Sequence, residues 1–384
     1  ELLFVMEDSP GMADGQARLG RALPALVERL GRVAGGLPDL HVGVISTDLG
    51  TAPYDSAGCT MPGGDGGRLL KGLHDSCANP VGQRFVVDVE PRGCEIIKSI
   101  VEGQPTTCTT HGCGQRNCDA DAFAGFDGTA TEPAGLVFSL DEHGCPRCRN
   151  YVDEPLAEVL ACTTALGTTG CGMEQPLEAL YLAMTDPSRS NVGFWRPDAL
   201  LFVVFLSNED DCSAKVVELF NPQGDLDSTL GPLTSFRCTE FGVVCDQPWQ
   251  RALPDGPLGY TGCVPREAND PNNMLHPIFR YVNFLLQSKD PTRVFLAAIA
   301  GPSDGTLTVD TGADEGPALQ ASCGNMGDEA VPAVRLRTFV EAFPAGHPDW
   351  ALPTYCAPDY APALTGLAGD RKSTRLNSSH GKLS

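Results

Sequence analysis

Four short apolar runs punctuate the chain: Leu2–Met6, Val42–Ser46, Leu200–Leu206 and Val294–Ala300. They are nearly continuous rather than alternating, the pattern of parallel strands covered on both faces. Between the first two runs Leu19, Leu23, Leu26, Leu30 and Val33 recur at helical spacing. They predict an amphipathic helix that Pro24 should kink, and hence a strand-helix-strand unit. Three more helices are expected at Glu154–Leu166, Glu174–Met184 and Leu275–Gln287, the last carrying a stripe of Leu275, Ile278, Phe279, Val282, Leu285 and Leu286. Strand and helix alternate, which predicts an α/β fold: a doubly wound, mostly parallel sheet with helices on both faces.

Two segments break this rhythm. Residues 51–150 hold Cys59, Cys77, Cys94, Cys108, Cys113, Cys118, Cys145 and Cys148, with only Arg84–Val89 reading clearly as a strand. Residues 221–268 hold Cys238, Cys245 and Cys263 among many Pro and Gly. Both are read as disulfide-rich insertions into one domain spanning 1–369, because loops this long are rare without a staple or a function. Residues 302–369 are expected to close the domain with helical pieces around Ala333–Phe343 and Ala361–Leu367. Residues 370–384, beginning Asp370-Arg371-Lys372-Ser373-Thr374-Arg375, read as a non-native sequencing-adapter tail outside the fold.

Charge and cysteine narrow the function classes. With 49 Asp and Glu against 27 Lys and Arg, the formal net charge is −22, so no nucleic-acid partner is expected. Sixteen cysteines imply an oxidising compartment, so a secreted or outer-surface protein is expected. No apolar run approaches the roughly 18 residues of a membrane helix. The chain opens on Glu1 directly before a strand-like run. A signal peptide or lipid-anchor cysteine, as in a lipoprotein, is therefore expected upstream.

In an open parallel sheet, ligands sit beyond the carboxyl ends of the strands. Glu7-Asp8-Ser9-Pro10-Gly11-Met12 follows the first run and Ser207-Asn208-Glu209-Asp210-Asp211-Cys212 the third, while Gly167-Thr168-Thr169-Gly170-Cys171-Gly172 precedes the Glu174 helix. These three loops, rich in hard oxygen donors, should meet at one edge.

The order of Leu3–Met12 with Gln16, His41–Asp48, Gly172–Ala179, Glu209–Ala214, Leu230–Cys238 and Ile299–Pro302 resembles the von Willebrand factor A (VWA) family, specifically its cysteine-rich secreted bacterial members. The resemblance spans nearly all of residues 1–369 and implies a VWA/Rossmann-like sheet and a binding, adhesion-type function. It also implies a metal-ion-dependent adhesion site. There an Asp-x-Ser-x-Ser loop, a Thr and a third-loop Asp surround Mg²⁺ or another divalent cation such as Mn²⁺ or Ca²⁺, leaving a position for a carboxylate on a protein partner. Carried over, Ser9 matches the first Ser, and Thr168 or Thr169, with the preference for Thr169, supplies the Thr. Glu7 replaces the first Asp, Gly11 the second Ser and Asn208 the third-loop Asp, with Asp210 and Asp211 close behind. A metal-free scaffold acting through its Cys-rich insertions is the alternative.

Catalysis has little support. The seven histidines show no His-Glu-x-x-His spacing, and there is no Gly-x-Ser-x-Gly elbow or phosphate loop. The chain is therefore expected not to be an enzyme, although Asp210 and Asp211 would serve a metal-dependent hydrolase. Cys145-Pro146-Arg147-Cys148 has redox spacing without its strand-then-helix context. Cys108, Cys113 and Cys118 with Cys145 and Cys148 offer zinc ligands. Disulfides are the stronger reading for all of them. Asp119, Asp121 and Asp127 miss the EF-hand spacing and read as a solvated loop. A Cys171–Cys212 bridge is expected to clamp the rim of the loop edge.

Overall fold

The structure is a computed structural model that describes residues 1–56, 58–59, 61–101, 104–125, 131–185, 190–253, 255–311, 316–325, 328–343 and 351–369. The expected tail at 370–384 and Asp127 of the acidic loop lie outside these residues. The strands are β1 (Leu2–Met6), β2 (Leu40–Ser46), β3 (Val86–Val89), β4 (Glu95–Ser99), β5 (Thr107–His111), β6 (Val137–Leu140), β7 (Pro146–Arg149) and β8 (Leu201–Leu206). After them come β9 (Val243–Val244), β10 (Leu258–Tyr260), β11 (Val264–Pro265), β12 (Val294–Ile299), β13 (Leu307–Thr311), β14 (Pro317–Leu319), β15 (Cys323–Asn325) and β16 (Asp328–Ala330). The helices are α1 (Ala13–Gly31), α2 (Leu156–Thr163), α3 (Pro176–Thr185), α4 (Phe236–Gly242), α5 (Ile278–Ser288), α6 (Val334–Glu341) and α7 (Ala361–Gly369).

The core is a seven-stranded sheet of order β12-β8-β1-β2-β3-β7-β6. The four apolar runs form β1, β2, β8 and β12, which pair in parallel. The expectation of a mostly parallel sheet fails beyond β2, because β3, β7 and β6 add antiparallel pairings. These three strands belong to the first cysteine-rich segment, so that segment extends the central sheet instead of only decorating it.

Side chains alternate between two apolar layers, as pleating requires. Leu3, Val5, Val203 and Phe205 pack with Leu177 and Leu180 of α3, Leu285 of α5 and Leu336 and Phe339 of α6. Leu2, Phe4, Met6, Val204 and Leu206 pack with Leu19, Leu23 and Leu26 of α1, Val159 of α2 and Leu364 of α7. All five residues of β1 are at most 4% exposed. At about 1.5–3 kcal/mol per fully buried large apolar side chain, this central strand is a strong local source of stability. Helix α1 runs on past Pro24 to Gly31, held by Leu23 and Leu26 on its buried face.

The residues 302–369, expected to be helical, also contain β13 to β16 before α6 and α7. β14 and β10 flank β13 in a small sheet that draws the second cysteine-rich segment against this C-terminal part. Residues 351–355 run along the outer edge of β12, where Ala298 N donates to Ala351 O at 2.8 Å and Tyr355 N to Ala300 O at 2.9 Å.

All sixteen cysteines pair: 59–171, 77–162, 94–113, 108–145, 118–148, 212–238, 245–263 and 323–356. The expected Cys171–Cys212 bridge is overturned, since each takes a partner from a cysteine-rich segment. Cys145 and Cys148 do not pair with each other; three positions apart on extended backbone, they point to opposite faces. Eight disulfides fit a protein folded in an oxidising environment. Among the described residues, no helix is long and apolar enough to cross a membrane.

Candidate functional site

Register sets the site. Met6 pairs with Ser46 and with Leu206, so Glu7, Thr47 and Ser207 emerge side by side at the carboxyl edge of the parallel strands. Backbone bonds continue one step further: Thr47 N donates to Met6 O at 3.0 Å and Glu7 N to Leu206 O at 2.9 Å. The Gly167–Gly172 loop is tied to the same edge. Gly170 N donates to Asp8 O at 2.8 Å, Cys171 N to Asp48 Oδ2 at 3.3 Å and Gly167 N to Gln16 Oε1 at 3.1 Å. Cys59–Cys171 fixes this loop to the 51–66 segment. The three loops expected to converge do so.

The individual side chains have different jobs. The Glu7 carboxylate, fully buried, accepts from the Ser9 hydroxyl, from Ser207 Oγ at 2.7 Å and from Asn208 N at 2.9 Å. It ties the first loop to the third. Gly11 lies against Asn208: a Cβ there would stand 2.7 Å from Asn208 Nδ2. Gly11 and Asn208 thus face each other, and the amide fills the space a side chain at position 11 would need. Thr168 is half-buried and Thr169 exposed, and neither hydroxyl is hydrogen-bonded among the described residues.

Asp210 and Asp211 turn to the fold. Asp210 accepts from the backbone N of Arg335 and Leu336 at 2.9 and 3.1 Å, capping α6. Asp211 pairs with the buried Arg335 guanidinium at 2.9 Å and accepts from Leu177 N at 3.1 Å. Both carboxylates are committed to holding α6 and α3 against the β8 loop.

Acids not singled out from the sequence complete the picture: Asp8, Asp48, Glu174 and Glu209. Asp8 is 8% exposed and its Oδ1 has no hydrogen-bond partner. Burial, then Asp48, Asp65 and Glu7, push it up to about 8. Glu174 accepts from the Thr47 hydroxyl, while its Oε1 is buried and unpartnered. Burial and Glu7 raise it well above the usual carboxylate range. Glu209 is pushed up to about 8 by burial and Glu7. Burial also raises Asp48 and Glu7. Among the described residues, none of these five carboxylates has a Lys, Arg or His ion-pair partner. A signal was present in the sequence: Asp48 stands two residues past β2, and Glu174 opens the turn into α3 as Glu7 closes β1. Among the described residues, no group of three or more acidic, histidine or cysteine side chains is arranged to enclose an ion unaided.

Comparison with family models, curated proteins and solved structures finds no match to this chain.

Proposed function

We propose that this chain is a secreted or surface-anchored binding protein with a doubly wound, VWA-like domain that engages a protein partner through a divalent cation at the loop edge. The observation that carries the reading is the orphaned Asp8 Oδ1, buried among acids with no cationic ion-pair partner among the described residues. Leaving such an oxygen unpaired costs about 1–3 kcal/mol, and a bound cation would remove that cost. Ser9, Thr169 or Thr168, and Asp8, with Glu7 behind Ser9, would hold the ion. Gly11 offers it nothing, and Asp210 and Asp211 are engaged elsewhere. Hydroxyls and water with few carboxylates suit an ion that keeps Lewis acidity for a partner's carboxylate. The role is binding, without catalysis.

A second reading, a metal-free scaffold acting through its cysteine-rich segments, draws on the Ser9 hydroxyl already donating to Glu7. Electron paramagnetic resonance of Mn²⁺ titrated into the oxidised chain separates the two. The cation reading expects a bound signal that Ser9→Ala and Thr169→Ala weaken and that a short glutamate-bearing peptide perturbs. A bound fraction identical in both variants, or none in the parent, leaves the scaffold.

A further inference from the structure

The Gly167–Gly172 loop carries three glycines, and they are there for different reasons. Gly167 has φ +83°, in the left-handed region that favours glycine. Gly172 has open space where a Cβ would stand. Gly170 is buried and has neither a left-handed φ nor room. A Cβ there would lie 2.1 Å from Asp8 Oδ1, 2.4 Å from Asp8 Cγ and 2.7 Å from Asp8 Oδ2, so the whole carboxyl end of Asp8 rests against the backbone of Gly170. The nearest of these atoms is the oxygen that has no hydrogen-bond partner.

Asp8 cannot yield this space cheaply. Gly170 N donates to Asp8 O at 2.8 Å, the next amide, Cys171 N, donates to Asp48 Oδ2 at 3.3 Å, and Cys59–Cys171 fixes the loop from the other side. The Asp8 backbone is therefore held, and its short side chain is only 8% exposed. Any side chain at position 170 must turn the carboxyl group to a different direction. We infer that Gly170 is a positioning residue of the loop-edge site: having no side chain, it lets the Asp8 carboxylate seat against the loop that carries Thr168 and Thr169, so that both loops offer oxygen to one cation. The inference rests on the cation reading above. It assigns Gly170 no contact with the ion; the residue acts through Asp8, as groups that orient a metal ligand do.

The test is Gly170→Ala in the oxidised chain, read by electron paramagnetic resonance of added Mn²⁺ and by thermal unfolding in chelator. Mn²⁺ affinity should fall on the order of ten- to a hundredfold, the usual loss when a group that orients a ligand is changed. Gly172→Ala, in the same loop, should bind as the parent does. The Asp8→Ala background separates positioning from packing and serves even where the single variant does not fold. With the carboxyl group gone, adding Gly170→Ala should lower neither the melting temperature nor the Mn²⁺ affinity any further. Equal Mn²⁺ binding by the parent and Gly170→Ala would overturn the inference, as would an equal loss in Gly172→Ala or a further loss in the double variant. No Mn²⁺ binding by the parent would remove the loop-edge reading, and this inference with it.

Discussion

On the proposed VWA-like reading, the departures at Gly11 and Asn208 are one structural event. The Asn208 amide stands where a side chain at position 11 would go. Gly11→Ser alone must push that amide aside, and we expect it to destabilise the fold by about 1–3 kcal/mol. Adding Asn208→Asp turns the clash into the Ser-Asp pair that the proposed VWA-like site would use. The double variant should bind Mn²⁺ more tightly than the parent in a calorimetric titration, while equal or weaker binding would deny the loop edge its role. Asp8 supplies a second prediction at this scale. Its acid is raised to about 8 by burial and by Asp48, Asp65 and Glu7. The folded state therefore keeps a proton that the unfolded chain releases near pH 4. That contribution to stability is present below about pH 4 and is lost as pH rises through 8. In chelator, melting temperature should fall between pH 5 and 8, and Asp8→Asn should flatten the slope. A melting temperature that rises with pH in chelator would contradict it.

The β8 loop and α6 act as one element. Asp210 caps the helix, and Asp211 neutralises an arginine that is 1% exposed. Asp210→Asn should cost about 1 kcal/mol, the usual loss for a cap. Asp211→Ala, which strands the Arg335 charge, should cost about 3–5 kcal/mol. Denaturant unfolding measures both, and Asp210→Asn should leave Mn²⁺ binding at the loop edge unchanged. This is also where sequence reading ran out. Position after a strand identified the loops, because parallel strands must deliver their next residues to one edge. It did not reveal that Asp210 and Asp211 turn back to a helix more than a hundred residues away, since that contact depends on tertiary packing. The parallel strands were legible from unbroken apolar runs. β3, β7 and β6 were not fully so, because cysteines and polar residues interrupt their pattern and disulfides replace part of the apolar drive. In Pro146-Arg147-Cys148-Arg149 the buried Arg147 side chain is received by Asp88, a tertiary contact that the local sequence does not show.

For the whole molecule, disulfides join the cysteine-rich segments to the sheet: Cys59–Cys171 at the rim, Cys77–Cys162 to α2 and Cys212–Cys238 to the β8 loop. Replacing Cys59 and Cys171 together by serine should cost about 2–4 kcal/mol and loosen the Thr168–Thr169 loop, lowering Mn²⁺ affinity. The Cys94–Cys113 pair, which closes the open end of the β4–β5 hairpin, should affect stability without affecting affinity. Equal affinities in the two variants would mean that the rim does not shape the site. A net charge of −22 and five carboxylates at or behind one edge, without a cationic ion-pair partner among the described residues, support the proposed cation site at that edge. The most direct test is calorimetric titration of Mg²⁺ and Mn²⁺ into the oxidised chain beside Ser9→Ala. Saturable one-to-one binding that is markedly weakened in Ser9→Ala is the predicted result. Heats indistinguishable between the two proteins would contradict the account.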